Sequence, residues 1–441
     1  MTHPDTIVAI ATPPGRGGVG MVRVSGKDLA EFSRTLCGRS LPSRFAQHTR
    51  FLDAANRTID DGIALYFVSP ASFTGEDVLE LHAHGSPMVL QALVRRCVEL
   101  GARHAEPGEF TKRAFLNGKL DLAQAEAVAD VIDAATESAA RAAVRSLTGE
   151  FSTRIRTLQD TIIRLRMFVE ATLDFPEEDV EFIEAERARE QLAETRVALQ
   201  HVIAEAGRGQ LLHDGIRVVL AGKPNVGKSS LLNALAGDDI AIVTPVAGTT
   251  RDTVKSRISV KGLPVEIVDT AGLRETTDAV EAIGIERTRT AIRDADLALV
   301  IVESTQDVPN ELLAELPEAL PRIIVRNKID LSRESARVDD SGVWLSAKTA
   351  DGVALLTDAI ADAVGFNYRE EGGFMARERH VTALRAALAH IDAAAAHLDH
   401  VALELFAEEL RLAHEALGEI TGEFTADDLL GEIFSRFCIG K

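Results

Sequence analysis

The 441-residue sequence is short of cysteine and of long apolar runs, and each shortage excludes a class of protein. Cys37, Cys97 and Cys438 are far apart and form no Cys-x-x-Cys pair, which excludes a zinc knuckle and a disulfide framework. The longest apolar run, around residues 297–302, falls short of the ~20 residues that a membrane-spanning helix needs. The first residues have neither the basic flank nor the apolar core of a signal peptide. We therefore predict a cytoplasmic protein with no membrane span.

Positive charge is also scarce, because 48 Lys and Arg residues face 68 Asp and Glu residues, giving a net charge of −20. The overall field of such a protein repels nucleic acid, so an RNA partner would need a local basic patch. The composition, 46% hydrophobic and 26% charged, is that of a globular protein. A chain of this length is expected to form about three domains.

Four segments of the sequence differ in pattern. Residues 1–118 mix short β-type runs with a helix pattern, which is typical of an α+β fold. Amphipathic helix patterns cover residues 119–211 and return in residues 374–441, while residues 212–373 alternate strands and helices. This alternation predicts an α/β domain with a mainly parallel sheet. Because an amphipathic helix cannot bury its apolar face alone, we predict that the two helical segments form one split bundle with the α/β domain inserted between them.

A phosphate-binding loop is predicted at residues 222–229, Gly-Lys-Pro-Asn-Val-Gly-Lys-Ser, between a strand pattern and a helix pattern. The glycines of such a P-loop let backbone N–H groups surround phosphates at a helix N-terminus. Lys228 is then the side chain that reaches the β- and γ-phosphates, and the Ser229 hydroxyl is a ligand of Mg²⁺.

Three further segments follow predicted strands and complete a guanine-nucleotide site. Residues 269–272, Asp-Thr-Ala-Gly, would bring Asp269 near the metal and the amide of Gly272 near the γ-phosphate. In residues 327–330, Asn-Lys-Ile-Asp, the Asp330 carboxylate matches two donors of guanine that adenine does not offer together. Residues 346–348, Ser-Ala-Lys, complete the base pocket. These segments predict a Ras-like GTP-binding domain.

Residues 243–252, Val-Thr-Pro-Val-Ala-Gly-Thr-Thr-Arg-Asp, lie where a switch loop belongs, and Thr250 is the expected second Mg²⁺ ligand. Leu273 stands where Ras-like proteins carry the glutamine that orients the attacking water, and leucine cannot do this. A monovalent cation held by Asn225 and switch-loop carbonyls could supply the missing positive charge. Glu281 is a candidate for orienting the water, and a solvated surface carboxylate is the alternative.

The sequence also has segments that a GTP-binding domain does not need. They are Thr-Pro-Pro-Gly-Arg-Gly-Gly-Val-Gly near the N-terminus, Ser-Phe-Thr-Gly-Glu-Asp at residues 72–77, the run from Gly108 to Val128, and Phe-Cys-Ile-Gly-Lys at residues 437–441. With these segments, the P-loop and the switch sequences, the chain resembles the MnmE (TrmE) family of tRNA-modifying GTPases over its whole length.

The resemblance implies a homodimer joined through N-terminal modules that bind formyl-tetrahydrofolate or a related folate. It also implies GTP hydrolysis that K⁺ stimulates. With a FAD-dependent partner of the MnmG type, in a heterotetramer or larger complex, such proteins add a carboxymethylaminomethyl-type group at carbon 5 of the wobble uridine of certain tRNAs.

The resemblance assigns roles to residues as well. It makes Glu281 the water-orienting acid and leaves Cys438 either catalytic or structural. The implied folate contacts are Arg23, Glu80, Lys119 and Lys441. The implied K⁺ ligands are Asn225, Thr244, Val246 and Thr249. Taken together, the predicted nucleotide contacts are Asn225, Val226, Gly227, Lys228, Ser229, Ser230, Thr244, Pro245, Val246, Ala247, Gly248, Thr249, Thr250, Asp269, Thr270, Ala271, Gly272, Asn327, Lys328, Asp330, Ser346, Ala347 and Lys348.

Other interpretations stay open. The chain could be a regulatory, RNA-binding GTPase of ribosome assembly, or a folate-dependent one-carbon transferase in which the GTPase is a timer. Glu80, His82 and His84 alternate along one predicted strand and share a face, so a metal site is an alternative to a polar strand that faces ligand or solvent.

Overall fold

A computed structural model describes residues 5–174, 181–237, 256–269, 292–314, 316–367, 372–399, 402–423, 427–435, 437 and 440. The chain forms two compact units, one of residues 1–129 with 417–441 and one of residues 130–416. The bounds of the four segments expected from the sequence stay predictions.

The strands are β1 (Ile7–Ile10), β2 (Gly17–Gly26), β3 (Gln47–Leu52), β4 (Thr58–Phe67), β5 (Asp77–Gly85), β6 (Arg103–His104), β7 (Ile216–Ala221), β8 (Ser256–Val260), β9 (Leu263–Asp269), β10 (Leu297–Glu303), β11 (Arg322–Asn327), β12 (Arg337–Asp339) and β13 (Gly342–Trp344). The helices are α1 (Ala30–Cys37), α2 (Pro87–Glu99), α3 (Glu109–Leu116), α4 (Leu122–Asp133), α5 (Glu137–Leu147), α6 (Glu150–Asp174), α7 (Glu181–Asp214), α8 (Lys228–Ala236), α9 (Asn310–Ala314), α10 (Ile329–Ser332), α11 (Val353–Ala363), α12 (Glu378–Asp399), α13 (Leu403–Thr421) and α14 (Asp427–Ser435). None of the helices described is long and apolar enough to span a membrane.

The first unit is built on a six-stranded sheet in the order β3-β4-β5-β2-β1-β6. Neighbouring strands are antiparallel, except β1 and β6, which run parallel. One face of the sheet buries alternate apolar residues such as Val22, Val24, Leu79 and Leu81 under α1 and α2. The residues between them lie on the opposite face. The α+β fold predicted for the N-terminal segment is confirmed.

The C-terminal helix α14 belongs to this first unit. Phe434 and Phe437 pack with Leu122 of α4 in one buried cluster. At Gly108, which has a φ of +65°, a side chain would come within 2.7 Å of the Phe434 carbonyl oxygen. The backbone at Gly440 passes close to β1, because a Cβ there would lie 2.4 Å from the carbonyl oxygen of Ile10. Phe434, Phe437 and Gly440 are therefore seated on the N-terminal fold.

The second unit contains a seven-stranded sheet in the order β12-β13-β11-β10-β7-β9-β8. The five central strands are parallel, and the two edge strands β12 and β8 are antiparallel to their neighbours. The first six residues of β10 are all buried, as expected for a parallel strand covered on both faces. The carboxyl ends of β7, β9, β11 and β13 lie at one edge of the sheet, because these strands are parallel, and α/β folds bind ligands at that edge. The predicted inserted α/β domain is confirmed.

A helix that precedes this sheet domain in the sequence packs against one that follows it. α7, which precedes it, lies against α12, which follows it, and Arg196 donates to Asp392 across the pair at 2.6 Å. The Phe151 ring of α6 stacks on Phe374 with centroids 4.3 Å apart. The split helical arrangement predicted from the sequence is therefore present.

Candidate guanine-nucleotide site

The P-loop connects β7 to α8. Asn225 and Gly227 have positive φ values of 65° and 99°, which turn the backbone over the N-terminus of α8. The Lys228 ammonium donates to the carbonyl oxygens of Gly222 at 2.7 Å and Lys223 at 3.3 Å. Ser229 is exposed in the first turn of the helix. The loop thus presents backbone amides, one cation and a hydroxyl at a single helix end, the arrangement that binds phosphate and its metal.

Two glycines of this loop have no room for a side chain. A Cβ at Gly222 would lie 2.7 Å from the carbonyl oxygen of Ile301 in β10. A Cβ at Gly227 would lie 2.3 Å from the side-chain nitrogen of Asn327. The close approach of the backbone to its neighbours therefore requires glycine at both positions, and the positive φ of Gly227 is a second reason there.

Asn327 joins the phosphate half of the site to the base half. Its side chain is almost wholly buried, with 2% of the residue exposed. The amide nitrogen donates to the Val226 carbonyl oxygen at 2.8 Å. The amide oxygen accepts from the backbone N–H groups of Lys328 at 2.8 Å and Ala347 at 2.9 Å. One side chain therefore holds three of the segments that the sequence placed at the nucleotide.

The residues predicted to contact the base come together beyond Asn327. The Ser346 hydroxyl donates to Oδ1 of Asp330 at 2.7 Å, which fixes the exposed carboxylate that is expected to accept from guanine. Lys328 forms an ion pair with Glu303 at the end of β10, with Nζ and Oε1 2.5 Å apart. Lys348 is exposed at the rim. Sequence reasoning did not single out Glu303, although its position at a strand end in the parallel sheet was a usable signal.

Asp269 ends β9 directly beside the P-loop, since it pairs with Leu220 of β7. Only its backbone is described. The predicted contacts at residues 244–250 and 270–272, and the predicted catalytic residue Glu281, lie outside the described residues. Those assignments stay predictions.

Two of the residues implied for folate binding, Arg23 and Glu80, lie on the face of the first unit's sheet opposite to α1 and α2. Arg23 and Glu80 are cross-strand neighbours on β2 and β5, and the Arg23 guanidinium donates to Oε1 of Glu80 at 2.9 Å. The same guanidinium lies 5.5 Å from the ring centroid of Phe73 and 5.8 Å from that of Phe110. His82 is next to them, and its buried Nε2 atom makes no hydrogen bond.

The other members of that set are only partly described. The Lys119 ammonium donates to the carbonyl oxygen of Pro70 at 3.0 Å. Lys441 and Cys438 lie outside the described residues, although Gly440 between them is placed against β1. No group of three metal-binding side chains occurs among the residues described. His84, considered above as a metal ligand, pairs instead with Asp60 at 2.9 Å.

A buried ion network in α3 explains part of the segment that begins at Gly108. Arg113 is 2% exposed and donates to Glu109 at 2.9 Å, to Glu76 at 3.0 Å and to Asp5 at 3.1 Å. Burial by itself raises the pKa of Glu109, but hydrogen bonds from Arg103 and Arg113 hold it at about 2. The Glu109 and Arg113 pair has the spacing of four that places side chains together on a helix, a signal that the sequence contained.

Comparison with known proteins decides the family. The model described as the MnmE helical domain matches residues 122–438, and the model described as the GTP-binding protein TrmE N-terminus matches residues 6–119. The chain belongs to the MnmE family. The tRNA modification GTPase MnmE of Chromobacterium violaceum is 56% identical over 446 aligned residues, which cover 99% of each chain. The same-named protein of Dechloromonas aromatica is 57% identical, again with 99% of each chain covered.

Among solved structures, the FeoB G-domain from Methanococcus jannaschii is 26% identical to this chain. The match covers 34% of this chain and 98% of that one, with a TM-score of 0.26. Membership of the MnmE family confirms the enzyme class expected from the P-loop and the base-recognition segments, a GTPase.

Proposed function

We propose that this chain is the GTP-hydrolysing component of a cytoplasmic tRNA-modifying enzyme. With a FAD-dependent partner of the MnmG type, it adds a carboxymethylaminomethyl-type group at carbon 5 of the wobble uridine of certain tRNAs. The observation that carries the proposal is the Asn327 contact with Val226 and Ala347, which holds the phosphate loop and the base-recognition loop together in a member of the MnmE family.

The described residues fit GTP with Mg²⁺. The phosphates occupy the N-terminus of α8, where Lys228 exchanges its bonds to loop carbonyls for bonds to the β- and γ-phosphates. Ser229, with Thr250, holds Mg²⁺, which neutralises charge on the phosphates. The two carboxylate oxygens of Asp330 accept from the two guanine donors, and the hydrogen bond from Ser346 holds that carboxylate in place. The side chain of Asn327 bonds both the phosphate-binding loop and the base-recognition loops, and it therefore fixes their positions relative to each other.

Hydrolysis in this site depends on a potassium ion and on Glu281. Asn225 supports this assignment because it is exposed in the P-loop, where its backbone has a φ of +65°. With Thr244, Val246 and Thr249 it would hold K⁺, which supplies positive charge where Ras-like proteins can receive it from an arginine. Glu281 orients the attacking water that Leu273 cannot orient.

The polar face of the N-terminal sheet is the proposed folate site, at which two chains of a homodimer join. Arg23 is held between an acid and two aromatic rings, which suits recognition of a flat, hydrogen-bonding ring. The buried Nε2 atom of His82 lies 3.6 Å from Oε2 of Glu80 without a hydrogen bond, and it offers a further polar contact. Gly440 lies against β1 of the same unit, which supports the folate role proposed for its neighbour Lys441.

Two measurements test the proposal. Steady-state GTP hydrolysis should be fast in KCl and slow in NaCl at equal ionic strength, and Asn225→Ala should remove most of the difference. Glu281→Ala should retain GTP affinity and lose roughly 10²–10⁴-fold in kcat. Equal rates in the two salts would contradict the cation assignment.

Mass spectrometry of tRNA nucleosides from a deletion strain tests the biological assignment. We expect the wobble-uridine modification to disappear and to return with the wild-type gene. A gene that lacks residues 438–441 should restore GTP hydrolysis but not the modification, because the nucleotide site uses none of these residues and Phe437 keeps its packing. Unchanged tRNA together with accumulated ribosome precursors would instead support the assembly GTPase.

A further inference from the structure

A cavity of about 320 Å³ in the second unit is lined by several cationic side chains. It lies between α5, α7, the turn that joins β8 to β9, and the chain that returns from the sheet domain to α12. Cations reach it from three of these elements. They are Arg141 and Arg145 of α5, Arg208 of α7 and Lys261 of the turn.

The charge of this lining is opposite to that of the chain. Four cations and one carboxylate, Glu205, line the cavity in a protein whose net charge is −20, and two carboxylates outside the lining, Asp358 and Glu137, pair with Lys261 and Arg141. A larger cavity of about 690 Å³ in the same unit shows the contrast, because Asp214, Asp294 and Asp296 line it with one arginine, Arg217. The 320 Å³ cavity is therefore a local positive site in an acidic protein, which is what an RNA partner requires of such a chain.

Neighbouring groups hold these cations in place and leave donors for a ligand. Nε of Arg145 donates to the carbonyl oxygen of Gly373 at 2.8 Å, and the two terminal nitrogens of the guanidinium carry further N–H donors. Lys261 pairs with Asp358 at 3.0 Å, and Arg141 pairs with Glu137 one turn earlier on its helix. An ammonium has three donors and a guanidinium has five, so each can bind a phosphate oxygen in addition to its present partner.

All four lining cations are at least partly accessible to solvent. The side chain of Arg141 is 72% exposed and that of Lys261 is 30% exposed, and Arg145 and Arg208 are half-buried. A polymer can therefore present one phosphate to the cavity while its neighbouring groups stay outside. Arginine matches such a phosphate in geometry as well as in charge, because its planar fork can donate two parallel hydrogen bonds.

We propose that this cavity binds a backbone phosphate of the tRNA on which the enzyme acts. The inference rests on the proposed function, which supplies the RNA. The turn that carries Lys261 joins β8 to β9, and β9 ends at Asp269 beside the P-loop. RNA bound here therefore contacts the strand pair that connects the predicted switch loop, residues 243–252, to Asp269 in the sequence.

The test compares two double variants that remove equal charge. Arg141→Ala/Lys261→Ala removes two cavity cations. Arg34→Ala/Arg411→Ala removes two cations that form similar ion pairs with nearby glutamates on exposed helix faces outside the cavity. Binding of fluorescently labelled tRNA is followed by anisotropy between 50 and 200 mM KCl, and unfolding temperature and basal GTP hydrolysis are measured for each protein.

We expect the cavity variant to bind tRNA roughly tenfold more weakly than wild type, with a slope of log affinity against log salt that is shallower by about one. The control variant should stay within about twofold of wild type, and both should keep the wild-type unfolding temperature and basal hydrolysis. Equal tRNA affinity in the two double variants would overturn the proposal.

Two further outcomes separate the possible errors. Wild-type protein that binds no tRNA under any of these salts would contradict the proposed function and the inference together. Inorganic phosphate that binds wild type by calorimetry, and not the cavity variant, while both bind tRNA equally, would make the cavity a site for a free anion. That result would leave the tRNA-modifying function intact and overturn only the RNA assignment.

Discussion

Replacing Gly227 with alanine should disconnect the phosphate half of the nucleotide site from the base half. The new Cβ would lie 2.3 Å from the side-chain nitrogen of Asn327, which is too close for any real contact. Asn327 is buried and cannot move away without losing its hydrogen bond to Val226 or those that it accepts from Lys328 and Ala347. A single methyl group is thus expected to act on three segments at once.

The size of the effect follows from two separate costs. The φ of Gly227 is +99°, and a side chain in left-handed backbone costs roughly 1–2 kcal/mol. Loss of the Asn327 contact leaves a buried carbonyl group without its partner, at about 1–3 kcal/mol. Together they predict a loss of roughly 2–5 kcal/mol, which is a weakening of GTP binding by about 30-fold or more if it falls on the bound state.

Gly365→Ala is the matched control for the first cost. Gly365 follows α11 in the same unit, its φ is +70°, and a Cβ there would meet no atom within 4 Å. Competition against a fluorescent guanine nucleotide should give near wild-type affinity for Gly365→Ala and a large loss for Gly227→Ala. If Gly227→Ala bound GTP as tightly as the control, the Asn327 connection would not matter for binding, and the reasoning would be wrong.

Three further changes test other parts of the structure. Asp330→Asn should lose GTP and gain xanthosine triphosphate in competition binding, because the new amide donates where the carboxylate accepted; continued preference for GTP would remove Asp330 from base recognition. Hydrogen bonds from His213, mainly to Asp130 and then to Asp214, raise the pKa of His213 to about 9. The charged imidazole therefore stabilises the folded state by roughly 3 kcal/mol at most, an effect that is fully present below pH ~6.5 and lost as pH rises through 9. The unfolding temperature of wild type should fall towards that of His213→Gln over this range. Because the pKa of Glu109 is lowered to about 2, its stabilisation is present above pH ~4.5 and lost as pH falls towards 2; Glu109→Gln should therefore unfold at lower temperature than wild type at pH 6 but not at pH 2.

The parts of the fold that depend on short-range pattern could be predicted from the sequence. The P-loop appears between β7 and α8 as expected, because a strand, a glycine-rich turn and a helix are all encoded within about twenty residues. Grouping of Asn327, Asp330 and Ser346 also followed from the sequence, since parallel strands bring their carboxyl ends to one edge. These predictions needed only the order of the elements.

Contacts that depend on how distant elements pack could not be predicted in this way. Arg23 and Glu80 were expected to contact a ligand separately, and the register of β2 against β5 makes them an ion pair. Arg113 lies in the segment that begins at Gly108, and sequence reasoning assigned it no separate role. Its burial among three acids follows from the packing of α3 against the chain near Asp5. Sequence patterns give the periodicity of each element and say nothing about which charged residues meet across two of them.

The turn between β8 and β9 contacts helix α5, so the inserted α/β domain is held to the helices by non-covalent contacts in addition to its two chain connections. The Thr136 hydroxyl accepts from the backbone of Ala139 at the start of α5 and donates to the carbonyl oxygen of Gly262 at 2.7 Å. A side chain at Gly262 would lie 2.3 Å from the hydroxyl of Ser138, so glycine is required for this close approach. β9 is thus fixed to α5 at one end and reaches the nucleotide site with Asp269 at the other. Because its hydrogen bonds to β7 keep the strand extended, its position at the nucleotide and its position at the helix are set together.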